Sequence, residues 1–334
     1  MILAGDVGGT NTRLAFLESQ AGRPVPAVIE VFPSKEYAGL EEILPQFLAR
    51  HAHPVEAAAF GIAGPVRNGR CKTPNLPWVV DANTLAATLG LEQVELVNDL
   101  EANAHGISIL GDQDFAVLNP TDGDATGNRV LISAGTGLGQ AGLICGPDGY
   151  QPFASEGGHA DFAPRNETEI ELLRYLLTKF DHVSYERVLS GPGLRNIYTF
   201  FRDTGRAGEP AWLAQEMEQN EPPRIIAEHA LNDTSPLCVL ALEQFVSIYG
   251  AEAGNLALKA MATGGVYIGG GIAPKILPKL KESRFLEAFS GKGRLSKLLE
   301  AIPVRVILND KTALLGAARL AILLRLRTRI TGAQ

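Results

Sequence analysis

The sequence predicts a two-lobed α/β fold with a helical insertion in the larger lobe. Apolar strand-like runs alternate with helix-period segments through the first half of the chain, which is typical of a sheet with helices on its faces. A glycine- and threonine-rich hairpin pattern occurs twice, once near the start of each half. A long helical stretch then separates the later strands. Two related lobes facing each other across a cleft would explain these observations.

The chain is long enough for two domains, with 334 residues against a usual domain size of about 100 to 200. Its composition, 46% hydrophobic and 20% charged, supplies apolar side chains for large cores and excludes disorder over the whole chain. We predict a small α/β domain from residues 1–109 and 311–334. A large α/β domain from 110–310 would hold the helical insertion, at about 167–261.

The elements of the small domain follow from apolar spacing. A helix is predicted over residues 40–48, and Asp81 is suited to cap a second helix over Ala82–Leu89. A third begins directly after the last strand. The predicted strands of this domain are Ile2–Ala4, Thr12–Leu17, Val28–Phe32, Ala57–Ile62 and Val94–Val97.

Helices dominate the large domain until strands return near its end. Ser184 and Ser235 are predicted helix caps, because serine side chains accept hydrogen bonds from backbone N–H groups. Strands are expected at Val266–Ile268 and Val304–Ile307. A triple glycine and a helix started by Pro274 follow the first of these strands, an arrangement that lets a flat ring or a phosphate approach the backbone.

Charge and cysteine content exclude several classes of function. Thirty Lys and Arg against 37 Asp and Glu give a net charge of −7, the wrong sign for general nucleic-acid binding. Three cysteines without a Cys-x-x-Cys pair exclude a disulfide framework and a cysteine zinc site, and they favour the cytoplasm. The chain starts without a signal-peptide pattern. Its longest uncharged run, over 130–147, is too rich in glycine for a membrane span.

The repeated hairpin pattern is the first candidate binding feature. Each copy is predicted as strand, Gly/Thr turn, strand, and Asp6 precedes the turn of the first copy. Glycines let backbone N–H groups converge on an anion, although Gly-Gly also occurs in ordinary hairpin turns. The turn residues are Gly8, Gly9, Thr10 and Asn11 in the first copy and Gly135, Thr136 and Gly137 in the second.

A dinucleotide-binding fingerprint also fits the second copy literally. Gly137, Gly139 and Gly142 have the G-x-G-x-x-G spacing, and Asp161 follows at about the required distance. That fingerprint must open a helix, whereas the residues from Ala141 onward form a short strand pattern interrupted by glycine. The hairpin interpretation is therefore favoured.

Polar side chains at strand and loop ends are the candidates for substrate contacts. Asn98 and Asp99 follow an apolar strand, where a carboxylate can accept a hydroxyl proton, although either residue could instead cap the next helix. Glu156 and His159 flank two glycines and suit hydrogen bonds to vicinal hydroxyls better than a metal, since no third ligand is visible. Glu186 is expected in the first turn of a helix, where an acid also stabilises the helix dipole.

As a set and in this order, the motifs resemble those of the bacterial glucokinase family, from residue 2 to about 320. The most specific strings are EGGH at 156–159 and ERVLSGPG at 186–193. The cysteine-rich zinc motif of related repressors and sugar kinases is missing after EGGH, which argues against zinc. The other matching strings are GDVGGTN at 5–11, ND at 98–99, GTGLG at 135–139, DFAP at 161–164 and GGGIAP at 269–274.

The resemblance implies an actin-like, hexokinase-type ATPase fold with the active site in the interlobe cleft. It also implies ATP-dependent phosphorylation of D-glucose at the 6-hydroxyl by a cytoplasmic homodimer. Asp99 would be the general base and Asp6 would hold Mg²⁺ through water. The other sugar hydroxyls would be bound by Asn98, Glu156, His159 and Glu186, the ATP phosphates by the two Gly/Thr turns, and the adenosine by Gly269, Gly270 and Gly271.

Other functions stay open at this point. A kinase for another hexose or an N-acetyl sugar would use similar contacts, because four polar residues do not fix one epimer. A sugar-sensing regulator on the same lobes would need a DNA-binding helix-turn-helix before the first phosphate loop, which begins at Gly5. A non-catalytic sugar-binding protein is disfavoured by Asp99 together with two phosphate loops.

Overall fold

A computed structural model of the protein describes residues 1–74, 76–121, 126–147 and 149–331, with side chains described to residue 327. The chain divides into two units. The first comprises Met1–Asp112, Gln151–Ala154 and Asn309–Gln334, and the second comprises Gln113–Tyr150 and Ser155–Leu308. The end of the predicted small domain, at 332–334, lies outside the described residues.

The described residues form strands and helices in both units. The strands are β1 (Ile2–Val7), β2 (Asn11–Gln20), β3 (Arg23–Pro33), β4 (Ala57–Ile62), β5 (Val66–Arg67), β6 (Arg70–Lys72), β7 (Val79–Asp81), β8 (Glu95–Asn98), β9 (Phe115–Asn119), β10 (Arg129–Ala134), β11 (Leu138–Gly146), β12 (Gly149–Ser155), β13 (Gly265–Gly269) and β14 (Val304–Ile307). The helices are α1 (Leu40–Arg50), α2 (Ala82–Leu89), α3 (Asp99–Ile107), α4 (Glu167–Leu177), α5 (Gly191–Asp203), α6 (Ala211–Gln219), α7 (Pro222–Leu231), α8 (Pro236–Ala260), α9 (Leu277–Leu280), α10 (Ser283–Ser290), α11 (Ser296–Glu300) and α12 (Thr312–Thr331).

The main sheet of the first unit has the strand order β3-β2-β1-β4-β8. β1 pairs antiparallel with β2 and parallel with β4, and β4 pairs parallel with β8. Every residue of β4 is buried, as expected for a parallel strand covered on both faces. Along β1, Leu3 packs in one apolar cluster with Phe47 of α1, while Ile2 and Ala4 pack in another with Ala317 of α12. Alternate residues therefore bury opposite faces of the sheet.

The sheet of the second unit repeats this topology. Its order is β12-β11-β10-β13-β14-β9, with β10 antiparallel to β11 and parallel to β13, and β13 parallel to β14. The hairpin β10–β11 thus occupies the place that β1–β2 has in the first sheet. The prediction of two α/β units with related topology is confirmed.

Five helices, α4 to α8, separate β12 from β13 in the chain, and α8 forms the centre of their core. Its predicted cap is confirmed, since Ser235 Oγ accepts a hydrogen bond from Cys238 N at 3.4 Å. α8 is long and apolar enough to cross a membrane by length and composition alone, but 72% of its most apolar window is buried inside the protein. It is accounted for as a core helix.

The predicted helix cap at Ser184 is wrong. Residues Tyr185–Arg187 form a single 3₁₀ turn, and Ser184 makes no capping hydrogen bond through its side chain. α5 is capped instead by Ser190, whose Oγ accepts a hydrogen bond from Gly193 N at 3.0 Å. Ser184 is buried and bridges to Asp161 through backbone pairing, so tertiary structure overrides its local capping preference.

The helix predicted to start at Pro274 is also absent at that position. The Ile272 carbonyl accepts hydrogen bonds from both Lys275 N and Ile276 N, which produces a run of turns. α9 begins only at Leu277, and Pro278 lies in its first turn, where a missing N–H costs nothing.

Two helices of the first unit, α3 and α12, approach closely because glycines lie at their contact. A Cβ atom built on Gly316 would lie 1.7 Å from the carbonyl oxygen of Ala102, and one built on Gly106 would lie 2.2 Å from that of Thr312. A side chain at either position would force the two backbones apart. α12 therefore stays in place only if these positions remain glycine.

We expect Gly316→Ala to lower the free energy of unfolding by about 1 to 3 kcal/mol, because a backbone oxygen cannot rotate away from the added methyl group. The helix propensity gained over glycine, about 1 kcal/mol, opposes only part of this loss. Urea unfolding followed by circular dichroism measures the change. Gly208→Ala is the matched control, because no atom lies within 4 Å of its added Cβ. Equal stability of the two variants would contradict the close-packing interpretation.

Candidate functional site

In the second unit, two glycine loops begin side by side at the carboxyl ends of neighbouring parallel strands. Ser133 of β10 pairs with Gly269 of β13, so the turn Gly135–Gly137 and the run Gly269–Gly271 leave the same edge of the sheet. Gly270 has φ 84°, and its added Cβ would lie 2.2 Å from the Ala134 carbonyl oxygen. Only glycine allows this approach of the two loops.

A buried tyrosine joins the two strands just before these loops. The Tyr249 hydroxyl lies 3.3 Å from Ala134 N, 3.4 Å from the Ile132 carbonyl oxygen and 3.5 Å from that of Gly269. Burial raises the pKa of Tyr249, so the hydroxyl stays protonated and can both donate and accept. Sequence analysis missed this residue. The only available signal was one aromatic hydroxyl within the apolar stretch that forms α8.

The loop of the EGGH string lies directly on β11. A Cβ atom added to Gly157 would lie 2.1 Å from Gln140 Oε1. One added to Gly158 would lie 1.9 Å from the Leu138 carbonyl oxygen. The two glycines are therefore required by contact with the strand. Glu156 and His159 at the ends of this short turn are exposed to solvent.

Glu186 lies in the first turn of a helix as predicted, but that helix is a single 3₁₀ turn, Tyr185–Arg187, before α5. Its Oε2 accepts a hydrogen bond from Leu138 N at 3.0 Å, next to the second Gly/Thr turn. Glu186 and His159 line one cavity of about 360 Å³. Asp161 is exposed, and its Oδ1 lies within hydrogen-bond distance of His182 Nε2, at 2.8 Å. The structure thus brings together two of the predicted sugar contacts.

In the first unit, the turn between β1 and β2 is fixed by a serine that sequence analysis missed. Ser34 Oγ donates to the Gly8 carbonyl oxygen at 2.8 Å, and Ser34 N donates to that of Thr10 at 2.9 Å. Ser34 is fully buried and lies 3.0 Å from Thr12 Oγ1. Ser34 follows the edge strand β3, so its role depends on strand register and has no local sequence signal.

Asp6 points from β1 toward two charged residues. It pairs in register with Arg13, which forms a 3.0 Å salt bridge with Asp310. Burial raises the pKa of the Asp6 carboxyl to about 6; the Arg13 charge lowers it and the Asp310 charge adds to the rise. Asp6 is therefore mostly ionised at neutral pH, but at a cost.

Asn98 and Asp99 mark the end of β8 and the start of α3. Asn98 is the helix cap: its Oδ1 accepts from Leu100 N at 2.9 Å and its Nδ2 donates to the Gly64 carbonyl oxygen at 3.0 Å. Asp99 is the first helical residue, and its Oδ1 lies 3.0 Å from the same Leu100 N. Because β1, β4 and β8 are parallel, Asp99 and the Gly/Thr turn after Asp6 lie at the same edge of the sheet.

The described parts of the chain contain no group of three or more His, Cys, Asp or Glu side chains that could hold a metal ion. A single carboxylate such as Asp6 still suits Mg²⁺, which retains several waters and binds through one or two carboxylates together with substrate phosphates. The dinucleotide alternative fails on structure, because Gly139 and Gly142 lie within β11 and open no helix.

The family model and the curated relatives point to one family. The glucokinase family model matches residues 3–323. A glucokinase from Nostoc sp. is 44% identical, over 95% of this chain and 98% of its own. The crystal structure of a glucokinase from an Antarctic psychrotroph has a TM-score of 0.83 at 31% identity and covers 96% of this chain and 98% of its own. A ROK family glucokinase from Streptomyces griseus, solved with glucose and AMPPNP, shares the fold, with a TM-score of 0.63 at 22% identity over 96% and 98% of the two chains.

The glucokinase from the Antarctic psychrotroph shares the fold of this chain over nearly its whole length. The predicted α/β fold of the actin-like, hexokinase type is confirmed, as is the resemblance from which it was inferred. Near-complete coverage of both chains shows that the likeness is not limited to one unit. The chain belongs to the glucokinase family.

Proposed function

We propose that this protein transfers the γ-phosphoryl group of ATP to the 6-hydroxyl of D-glucose. The observation that carries the proposal is the edge of the first sheet, where Asp99 lies at the end of one parallel strand and a Gly/Thr turn follows Asp6 on another. Phosphoryl transfer needs a base for the attacking hydroxyl and backbone N–H groups that bind phosphate, and this edge of the sheet supplies both. The family and the glucose and AMPPNP bound by the Streptomyces griseus protein support the same substrates.

Asp99 is proposed as the general base. Its carboxylate would accept the proton of the 6-hydroxyl as the hydroxyl oxygen attacks the γ-phosphorus and the bond to the leaving ADP oxygen breaks. The first turn of α3 holds this side chain by its backbone and by the Leu100 N–H group. Most of the rate acceleration in such reactions comes from positioning and charge stabilisation.

The remaining sugar hydroxyls are assigned to Asn98, Glu156, His159 and Glu186. His159 and Glu186 share a cavity, which supports their acting on one ligand. Asn98 already uses one hydrogen bond on each side-chain atom, but an amide retains a second donor hydrogen and a second lone pair. It can therefore bind a hydroxyl while it caps the helix.

The nucleotide is assigned to the glycine loops. Backbone N–H groups of Gly8–Asn11 and Gly135–Gly137 would bind phosphates, and Gly269–Gly271 would lie against the adenosine. Asp6 would hold Mg²⁺ through water. When bound, Mg²⁺ supplies positive charge against the transferring phosphoryl group.

The proposal extends to a cytoplasmic homodimer without nucleic-acid or membrane partners. All three cysteines of the chain are free thiols, which is compatible with a reducing compartment. The net charge of −7 opposes binding to phosphate backbones. The dimer rests on family likeness alone.

The direct test is sugar-phosphate formation by the purified protein against a panel of hexoses, N-acetyl sugars and phosphoryl donors. We expect D-glucose with ATP and Mg²⁺ to give the highest kcat/KM. A higher value for another sugar would reassign the substrate within the kinases. Absence of phosphoryl transfer to every sugar would overturn the proposal.

Asp99→Asn should reduce kcat at least about a hundredfold, since general-base catalysis typically contributes about 10² to 10⁴. Glucose binding by calorimetry and Tm should stay near the wild-type values, because Asn98 is the helix cap and asparagine at 99 can still accept from Leu100 N. Near-normal turnover would leave Asp99 with only a structural role at the start of α3.

Asp6→Asn should raise stability and lower activity together. Below the unfolded-state pKa of 3.8 the wild-type carboxyl is protonated in both states, so it costs nothing. As pH rises toward the folded-state pKa of about 6, the unfolded chain loses its proton first and wild-type stability falls. The variant escapes this loss, so its advantage in Tm should grow from pH 4 and level off above pH 6.

Thermal melts across this pH range measure the advantage, with Asp310→Asn as control. Asp310 is largely exposed, so its loss should not reproduce the full effect. An advantage for Asp6→Asn that is independent of pH would contradict a buried carboxylate as its cause.

A further inference from the structure

A buried polar network in the second unit lies beneath the segments that carry Glu156, His159 and Glu186. We call it the Glu252 network, after the residue at its centre. Glu252 lies in the second half of α8 and is fully buried. The roles proposed above make no use of it. The members of the network are Gln140, Tyr185, Glu252, Asn255 and Lys292.

Both oxygens of Glu252 are occupied by donors. Gln140 Nε2 donates to Glu252 Oε1 at 2.8 Å, and Asn255 Nδ2 donates to Glu252 Oε2 at 2.9 Å. On the other side of the Asn255 amide, Lys292 Nζ donates to Asn255 Oδ1 at 2.5 Å. The negative and positive groups are therefore linked through one amide, which lowers the cost of burying each charge.

The network contacts the EGGH loop through Gln140, which is only 2% exposed. Because the Nε2 group of Gln140 is held by Glu252, its Oε1 faces the backbone of Gly157, where an added Cβ would lie 2.1 Å away. The carboxylate thus decides which end of the Gln140 amide lies under the loop. Glu156 directly precedes this glycine, and His159 follows two residues later.

The network also contacts the segment of Glu186. Asn255 Nδ2 donates to the hydroxyl of Tyr185 at 3.0 Å, and Tyr185 is the residue directly before Glu186. Tyr185 N in turn donates to the Ala160 carbonyl oxygen at 2.9 Å, which ties this turn to the end of the EGGH loop. One set of buried hydrogen bonds therefore supports both segments.

We propose that Glu252 is a positioning residue for sugar binding, which aligns the EGGH loop and the Glu186 turn through Gln140 and Tyr185. The inference rests on the proposed function, because it takes these segments as the sugar contacts. A purely structural carboxylate would be replaceable at the cost of stability alone. A positioning carboxylate must alter glucose affinity while nucleotide affinity is kept.

The test is Glu252→Gln, which preserves shape but has one acceptor oxygen where two donors point. One buried donor then faces an N–H group, and we expect the Kd for glucose by calorimetry to rise at least about tenfold. The Kd for AMPPNP should change less than about twofold. The double variant Gln140→Glu with Glu252→Gln reverses the pair, so that the amide at 252 donates to a carboxylate at 140 and its oxygen still accepts from Asn255. This variant should recover most of the glucose affinity.

Glu243→Gln is the control on the same helix, because Glu243 pairs with Arg284 at 3.0 Å, outside the network. It should bind glucose like the wild type. Equal glucose affinity in Glu252→Gln and wild type would overturn the positioning role while the proposed function stands. Wild-type protein that binds no glucose would overturn both.

If Glu252→Gln fails to fold, as judged by circular dichroism, Gln140→Met tests the role from the strand side. This variant retains the hydrogen bond from Asn255 Nδ2 to Glu252 Oε2 but removes the side-chain amide beneath Gly157. Weaker glucose binding with AMPPNP binding retained supports the inference. Unchanged glucose binding in a folded Gln140→Met protein overturns it.

Discussion

Parallel pairing next to a hairpin is the constraint on which the rest of the structure depends. In each of the two large sheets one strand is antiparallel to its successor and parallel to a strand much later in the chain, as β1 is to β4 and β10 is to β13. Neighbouring parallel strands end at the same edge of the sheet, so the candidate loops that follow them lie close together there. No local sequence pattern indicates this proximity. The glycines then set how closely those loops approach, as Gly270 does against Ala134.

This arrangement includes polar groups that are buried, which is energetically unfavourable unless they are hydrogen-bonded. Asp6 is held with a raised pKa, Tyr249 has its hydroxyl among three backbone groups, and Glu252 is a fully buried carboxyl group within α8. Each lies beneath or beside a candidate binding segment. Such groups restrict the site to one arrangement, whereas apolar packing of equal volume would leave its loops less defined.

Local chemistry was sufficient to predict all five strands of the first large sheet and four strands of the second, the hairpin turns, and the caps at Asp81 and Ser235, because those features depend on residues a few positions apart. The strands β5, β6, β7, β9 and β12 were not predicted. The family was predicted from short strings and is confirmed. The cap at Ser184 failed because backbone pairing with Asp161 determines that segment. Ser34 and Tyr249 were missed for the same reason, since their partners come from distant strands. The roles of the predicted site residues remain proposals.

The position of α12 affects how the protein is made. This helix supplies Leu314, Ala317 and Ala318 to the cluster that covers one face of the first sheet, yet it follows the whole second unit in the sequence. During synthesis the ribosome releases β1 to β8 long before α12 exists. That face of the sheet, with Ile2 and Ala4, therefore stays uncovered while the second unit is being made. The first unit is therefore completed only after the second unit has been made, and transiently exposed apolar surface of this kind is prone to aggregation and is recognised by chaperones.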